Sequence, residues 1–445
     1  MPTTDCISQV AFKFQGYALP ISVKADAPRL SSDGGVLALR KVDEALSVTA
    51  PLAEIMHDCR DARQVRHTRL EQLRQRAYQI ALGYEDCNDA DSLRDDLVWR
   101  TACSEREPAP LSSQPSLSRF ENEVSGAELR AMWCELERQY VDGLSPTAPM
   151  VLLDIDSTDD PTHGQQELAF FHGFYDQHMF HPLLMFDGES GQLITAVLRP
   201  GRAHASWAAD GMLRRVIRAI RHRCRNAAIV VRGDSGFAMP WLLDTLDGLN
   251  KELGDVHYVI GIAKNPRLLA LAATTIAAAA AQHRASEEHV RKFAWLEYAA
   301  ASWSRSRAIV LKAEHGTRGP NPRFVVTNMT WVAPRSIYDG AYCPRGQSEN
   351  FIKDFKNALR ADRLSCHRFL ANAFRLLLHA VAYRLMHALR AGLGDLDPRI
   401  GRLQMDTLRL AFLKVGALVT RSARRLLVQL PRAFPGRHLL LRFLS

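Results

Sequence analysis

A chain of 445 residues, 47% hydrophobic and 24% charged, is too long for one ordinary domain and too apolar to be disordered. Its net charge of +9 and pI near 9.2 favour a polyanionic partner. Eight cysteines, at 6, 59, 87, 103, 134, 224, 343 and 366, form no C-x-x-C pair, which argues against a zinc ribbon and for reduced thiols in a cytosolic protein.

The start of the chain, Met1 to Asp5, lacks the basic residues and apolar core of a signal peptide. No run reaches 18 apolar residues, so no membrane span is expected. Residues 1–145 read as mainly helical. Capping residues between Leu30 and Gly35 lead into an apolar-periodic stretch that ends at Leu46. A basic amphipathic stretch runs from Arg63 to Leu82, and a short helix starts at Ala90. A loop rich in Pro and Ser follows Glu107, and Gly126 to Tyr140 is helical again. Short helices with basic faces suit a unit that binds DNA ends, and they suit a plain helical bundle equally.

At Met150 the texture changes. Val151 to Asp156 is an apolar run broken by acids, the pattern of a buried strand ending in carboxylates. Strands are expected at Ala169 to Tyr175, Leu183 to Phe186 and Gln192 to Leu198, with a turn at Asp187 to Gly191. Ser206 to Arg223 reads as an amphipathic helix. Ala227 to Val231 is another buried strand, leading into Arg232 and Asp234. A helix (Met239 to Leu253) and a strand (His257 to Ile262) follow. Residues 146–263 thus form the first part of a mixed α/β layer.

Residues 264–330 interrupt it with an Ala-rich stretch and strand-like runs at Lys292 to Tyr298, Ser302 to Lys312 and Arg323 to Thr327. We expect a β-containing insertion subdomain, because Phe293, Trp295, Tyr298 and Trp303 need burial or a partner. Residues 331–395 close the layer, ending in a long apolar helix from Ser365 to Leu393. Residues 396–445 read as a basic helical tail with Arg421, Arg424 and Arg425 clustered. From Arg360 onward there are 16 Lys and Arg against 4 Asp and Glu, a local excess of +12, so the remainder is slightly acidic.

The densest chemistry lies at 342–356. Tyr342, Arg345, Glu349 and Lys356 are separated by two, three and six residues. On a helix, positions 345, 349 and 356 share one stripe, and Phe351, Phe355, Ala358 and Leu359 cluster opposite. Pro344 suits the first turn, which leaves Tyr342 just outside the helix. Glu349 could be a surface residue paired with Arg345 or Lys353, worth a few tenths of a kcal/mol. It gains a different meaning beside Asp156 and Asp234, which stand at strand ends. Two divalent metals about 3.5–4 Å apart need several carboxylates on rigid elements. One metal would activate a water or 3′-hydroxyl, and the other would stabilise the leaving oxygen. Taken singly, an Asp after a strand is more often a turn or cap residue. Asp154 shares a face with Asp156 by strand alternation. The Ser157 and Thr158 that follow favour Asp156, and Asp159 and Asp160 read as loop residues.

With these residues the chain resembles the DDE transposases of bacterial insertion sequences, in the group marked by a Y-(2)-R-(3)-E-(6)-K signature. Tyr342, Arg345, Glu349 and Lys356 match every position of it. Asp156 with its following hydroxyl residues, and Asp234 within Val230 to Phe237, resemble the segments holding the first two acids. The resemblance covers roughly 150–390. It implies a ribonuclease H-like mixed sheet flanked by helices. It also implies a two-metal Mg2+ site, with Mn2+ able to substitute, held by Asp156, Asp234 and Glu349. Arg345 and Lys356 would bind phosphates near the cleaved end, and Tyr342 would position a terminal phosphate. The implied reaction is cut-and-paste transposition on double-stranded DNA, at transposon ends and a target, by a homodimeric synaptic complex. The implied location is the bacterial cytoplasm, at the nucleoid when acting. Two other readings stay open: a nuclease of the same core without joining activity, and an inactive DNA-binding derivative.

Some residues fit either contact with DNA or ordinary structure. His163 could contact DNA or metal or make a structural hydrogen bond. Lys264 and Asn265 could touch the backbone or lie in a solvated loop. Trp295, Trp303 and Trp331 could stack on an unpaired base or pack in a core.

Overall fold

The computed structural model describes residues 9–16, 18–24, 27 and 29–445. The N-terminal segment read for a signal peptide, Met1 to Asp5, and Cys6 lie outside the described residues. Among the described residues, no helix is long and apolar enough to cross a membrane.

A nine-stranded mixed sheet organises the molecule. Its main strands are β1 (Met150–Ser157), β2 (Leu183–Asp187), β3 (Leu193–Val197), β4 (Ala228–Gly233), β5 (Val256–Ile262), β6 (Val290–Tyr298), β7 (Arg307–Gly316) and β8 (Arg323–Thr327). The order across the sheet is β6-β7-β8-β5-β4-β1-β2-β3, and the two-residue strand Gly319–Pro320 pairs on β7. β1, β2 and β3 are antiparallel neighbours; a short turn at 188–192 joins β2 to β3, while a longer excursion at 158–182 joins β1 to β2. β4 runs parallel to β1, and β5 parallel to β4. The expected insertion is therefore no separate β subdomain. β8 pairs antiparallel with β5, and β7 with β8, so its strands extend the same sheet.

Side-chain alternation sorts the sheet into two faces. Val151, Leu153 and Ile155 of β1, with Ile229 and Val231 of β4, join a core built with helices from the far side. Leu152 and Val230 face the other way, against Ile337 and Tyr338. Asp154, Asp156 and Arg232 have the same parity as that second set, so the charged residues of β1 and β4 share the face covered by the signature segment.

Six helices matter for the site and its support: α1 (Arg69–Ala81), α2 (Gly126–Gly143), α3 (Ala209–Arg223), α4 (Pro240–Leu253), α5 (Pro266–Ser286) and α6 (Phe369–Leu396). α3, α4 and the Ala-rich α5 contribute buried residues to the far-side core. α1 starts at a capping box between Thr68 and Glu71, which satisfies two backbone donors reciprocally. Its arginines do not form the basic face expected for DNA. Arg74 pairs with Asp43, Arg76 with Glu121 and Arg69 with Glu123, and all three are buried. α6 is buried along most of its length among the N-terminal helices.

The N-terminal region is mainly helical, as expected, and its first helix, Val36–Leu46, ends where the periodic stretch does, but short strands Gln9–Phe12, Ile21–Lys24 and Leu30–Ser31 precede it. The C-terminal tail is not wholly helical: Ala417–Arg421 and Leu426–Gln429 form a hairpin that pairs with Leu30–Ser31. Ala417 and Val419 are buried while Leu418 and Thr420 face outward, a period of two that the nearby arginines obscure.

Candidate active site

β1 and β4 are adjacent and parallel, and β1 is antiparallel to β2 on its other side. Ligand crevices in α/β sheets open beyond the carboxyl ends of such strands. Asp154 is in register with Arg232, so two residues further on Asp156 and Asp234 leave the sheet side by side. Asp234 follows β4 directly, and its Oδ1 accepts the Gly236 N–H at 2.9 Å, opening the short turn Ser235–Phe237. The tight-turn role and the outward carboxylate coexist in one residue.

Asp154 and Asp156 are separated by their partners. Asp154 is fully buried and receives two hydrogen bonds from Arg232, Nε at 2.6 Å and Nη2 at 2.7 Å. Arg232 Nη1 also donates to the Ala341 carbonyl at 3.0 Å, tying the strand to the signature segment. Gly188 lies so close that a Cβ there would stand 2.5 Å from Arg232 and 2.8 Å from Asp154. Asp156 is partly exposed and meets Arg345, whose Nη1 donates to Oδ2 at 2.9 Å. Burial, with the charge of Asp234 adding to it and Arg345 opposing it, raises the Asp156 carboxyl to about 6. Arg345 stays charged despite its burial because Asp156, Tyr342 and Asp234 surround it.

The signature segment is not one regular helix. It runs as a π-helix (Ser336–Tyr342), a 3-10 turn (Cys343–Gln347), an α-turn (Ser348–Lys353) and a second π-helix (Asp354–Ala358). Tyr342 therefore lies inside the helical segment, and Pro344 is the second residue of the 3-10 turn. Tyr342 reaches toward the end of β5, where a Cβ on Gly261 would stand 2.4 Å from its hydroxyl. Burial, with the nearby Asp234, raises its phenol pKa against the pull of Arg345. Lys356 Nζ bonds Asp159 Oδ1 at 2.8 Å and the Asp159 carbonyl at 2.7 Å. Phe355, Ala358 and Leu359 are buried as expected, and Phe351 packs on the same core.

The structure thus brings Asp156, Asp234, Tyr342 and Arg345 together and places Lys356 one residue group away, on Asp159. It does not bring Glu349 to them: that side chain is exposed and makes no hydrogen bond or ion pair among the described residues. The expected stripe of 345, 349 and 356 is broken because 3-10 and π turns advance by different angles from an α-helix. Among the described residues, no three His, Cys, Asp or Glu side chains converge closely enough to hold a metal. Asp156 and Asp234 fit a hard divalent cation as oxygen donors, whereas Glu349 does not reach them in this arrangement.

Asp159 lies in a loop, as expected, and also pairs with Lys356, whereas Asp160, read as a loop residue with it, is buried in the short strand Asp160–Pro161. The place of Asp159 just past a strand end that carries two other acids was the available clue to that pairing. Asn265 caps α5 through the Leu268 N–H at 3.0 Å and donates to Tyr298 at 3.2 Å, a structural role. His163 is exposed, Trp303 packs against Tyr298 and Arg307, and Trp331 is exposed beside His257.

A pair of carboxylates beside phosphate-seeking cations is chemistry for a nucleic acid backbone, and comparison across the whole chain agrees. The profile described as "Transposase DDE domain group 1" matches residues 15–445. The class is that of the DDE enzymes, which cut DNA and transfer its strands with divalent metals. Within it, this chain belongs to the transposase DDE domain family, group 1, and is a transposase. A search of curated proteins found no match. Among solved structures, the piggyBac transposase synaptic complex with hairpin DNA matches with a TM-score of 0.44 and 11% identity, over 86% of this chain and 81% of that one.

Proposed function

We propose that this transposase cuts its own terminal inverted repeats and transfers the freed 3′ ends into target DNA, working from a ribonuclease H-like core. The observation that carries the reading is the pairing of Asp156 and Asp234 at the carboxyl ends of adjacent parallel strands, with Arg345 and Tyr342 upon them. The strand order β3-β2-β1-β4-β5, antiparallel then parallel, supports the ribonuclease H-like assignment.

In this reading Asp156 and Asp234 are catalytic and hold Mg2+, or Mn2+ in its place, with Glu349 as the third donor once the signature segment turns it inward. Divalent cations bound there would generate the attacking oxygen nucleophile and neutralise the leaving 3′-oxygen. Arg345 leaves Asp156 for a phosphate, which frees the carboxylate. Lys356, already held on Asp159 at the rim, takes a second phosphate. Tyr342, braced against Gly261, fixes the terminal phosphate. Asp154 is unsuited to the metal role because Arg232 occupies both its oxygens. The active assembly is a homodimer bridging two double-stranded DNA ends, in the bacterial cytoplasm at the nucleoid.

The test is cleavage of duplexes carrying the inverted repeats that flank the gene, in Mg2+ or Mn2+. Wild type is expected to nick at the repeat ends and to join them to a target plasmid. Asp156→Asn, Asp234→Asn and Glu349→Gln are expected to reduce both steps to background. Full activity of Asp234→Asn would refute the site.

A further inference from the structure

A cavity of about 550 Å³ lies among the helix Val36–Leu46, α2, α6 and the helix Arg437–Leu444. Its volume falls within the range of small-molecule sites, about 300–1,000 Å³. On α6, Arg384, His387, Ala388 and Ala391 recur at steps of three and four residues and so share one face. The two alanines, with Ala45 and Gly143 on the other helices, are too small to fill the space between them. Gly392 lets the helix Arg437–Leu444 close in, since a Cβ there would stand 2.7 Å from the Phe443 ring, and Phe443 forms part of the wall. None of the lining residues belongs to the acids or to the signature cations.

The charge of the cavity is one-sided. Lys41 and Arg384 line it and no Asp or Glu does. Arg384 is 7% exposed, and its Nη1 donates to the Leu136 carbonyl at 2.7 Å. Among the described residues its guanidinium makes no other hydrogen bond and no ion pair, and Lys41 makes neither. Burial lowers the Arg384 pKa to about 10, against the charge of Glu135. Glu135 is itself committed to Arg138 and Gln139. A buried cation without an anion is costly unless its donors are met. The other deeply buried arginines meet that requirement. Arg74 and Arg76 pair with Asp43 and Glu121. Arg199, which has no acid, donates to the carbonyls of His181, His204, Ala205 and Trp207. Arg384 has one carbonyl and a cavity. His387 adds no second buried charge, because burial lowers its pKa to about 4 while its Nε2–H donates to the Ser190 carbonyl at 2.8 Å.

We propose that this cavity binds a small apolar carboxylate, its head on Arg384 and Lys41 and its chain against Ala388, Ala391 and Phe443. The planar carboxylate matches the guanidinium fork and forms charge-assisted hydrogen bonds with it. The chain gains by leaving water for a wall that is mostly apolar. A phosphate of duplex DNA fits less well, because the duplex cannot follow its phosphate into a space walled by apolar side chains. The site stands apart from the DNA-cutting reading, so failure of either leaves the other intact.

The experiment measures the binding of decanoate, its neutral analogue decanol and inorganic phosphate to the full chain, by titration calorimetry and by the shift in melting temperature. Wild type is expected to bind decanoate and to melt higher as decanoate is added. Decanol is expected to bind roughly tenfold more weakly or worse, the scale of one charge-assisted contact, and phosphate not to bind measurably. Arg384→Met keeps the apolar stem and removes the charge. It is expected to weaken decanoate by roughly tenfold or more and to leave decanol unchanged, which also shows that the cavity is intact. Ala388→Phe fills the cavity and is expected to weaken decanoate and decanol together. A wild type that does not bind decanoate overturns the proposal. So does decanoate binding that survives both Arg384→Met and Ala388→Phe, since it is then non-specific. Phosphate that binds as tightly as decanoate and is lost in Arg384→Met also overturns it, and assigns Arg384 to nucleic acid phosphates instead.

Discussion

Asp154 and Asp156 are two residues apart on one strand and chemically alike, yet their surroundings assign them different work. Strand alternation could not separate them, because it places both on one face. What separates them is Arg232, 78 residues away, which takes both oxygens of Asp154 and leaves Asp156 to Arg345. Breaking a buried pair strands a charge and costs about 3–5 kcal/mol, while replacing both partners with apolar residues is often neutral. Arg232→Ala is therefore expected to lower stability by that amount in urea unfolding, and Arg232→Met with Asp154→Leu to recover most of it. An unchanged midpoint in Arg232→Ala would contradict the assignment. Asp160 differs again: it is 1% exposed, and neither carboxyl oxygen finds a hydrogen-bond partner. Burial, with Asp362 nearby, raises its pKa well above the usual carboxylate range. The folded state then binds a proton that the unfolded state releases above pH ~4, so stability falls as pH rises through that value. Asp160→Asn is expected to melt higher than wild type at pH 7.5, with the gap closing toward pH 4. A gap independent of pH would count against the raised pKa.

At the scale of elements, the strands that build the site were legible because they are short apolar runs bounded by acids and turns. Of the small three-stranded sheet between β1 and β2, the strand expected at Ala169 to Tyr175 is present as Phe170–His172, but its partners and the C-terminal hairpin were not read, since strands of two to five residues carry too few alternations to outweigh a helical or loop reading. The signature segment shows a third case. Its residue spacing was readable, but its pitch was not, because hydrophobic spacing does not distinguish α from π or 3-10 turns. That pitch leaves Glu349 exposed while Arg345 and Lys356 reach acids on the sheet side. A closed site requires the segment to rewind. Hydrogen exchange of residues 343–353 is expected to slow when Mn2+ and a terminal-repeat duplex are added together. Exchange that stays the same would mean that Glu349 does not turn inward.

For the whole molecule, the +12 excess after Arg360 suggested a basic surface for DNA, and the structure spends much of that charge inside. Arg375 and Arg384 are buried, Arg390 pairs with Asp354 at 2.9 Å, and Lys414 pairs with Asp33 at 3.1 Å while lying over Tyr84. Arg409 bonds the Ala81 and Ala358 carbonyls, fastening the C-terminal region to α1 and to the signature segment. Arg421 pairs with Glu107 on the surface. Counting cations along the chain therefore overstates the electrostatic footprint. Arg424 and Arg425 are a different kind. They sit in the turn between Ala417–Arg421 and Leu426–Gln429, are exposed, and make no side-chain hydrogen bond or ion pair among the described residues. Each phosphate contact contributes about −0.9 to the slope of log affinity against log salt. Arg424→Gln with Arg425→Gln is expected to make that slope shallower by up to ~2 between 50 and 200 mM salt, with the melting temperature unchanged. Arg409→Ala is expected to do the reverse, lowering the melting temperature while the salt slope of the folded protein stays at the wild-type value. A double variant with the wild-type slope would place the hairpin turn away from DNA and leave the phosphate contacts to the cations around Asp156 and Asp159.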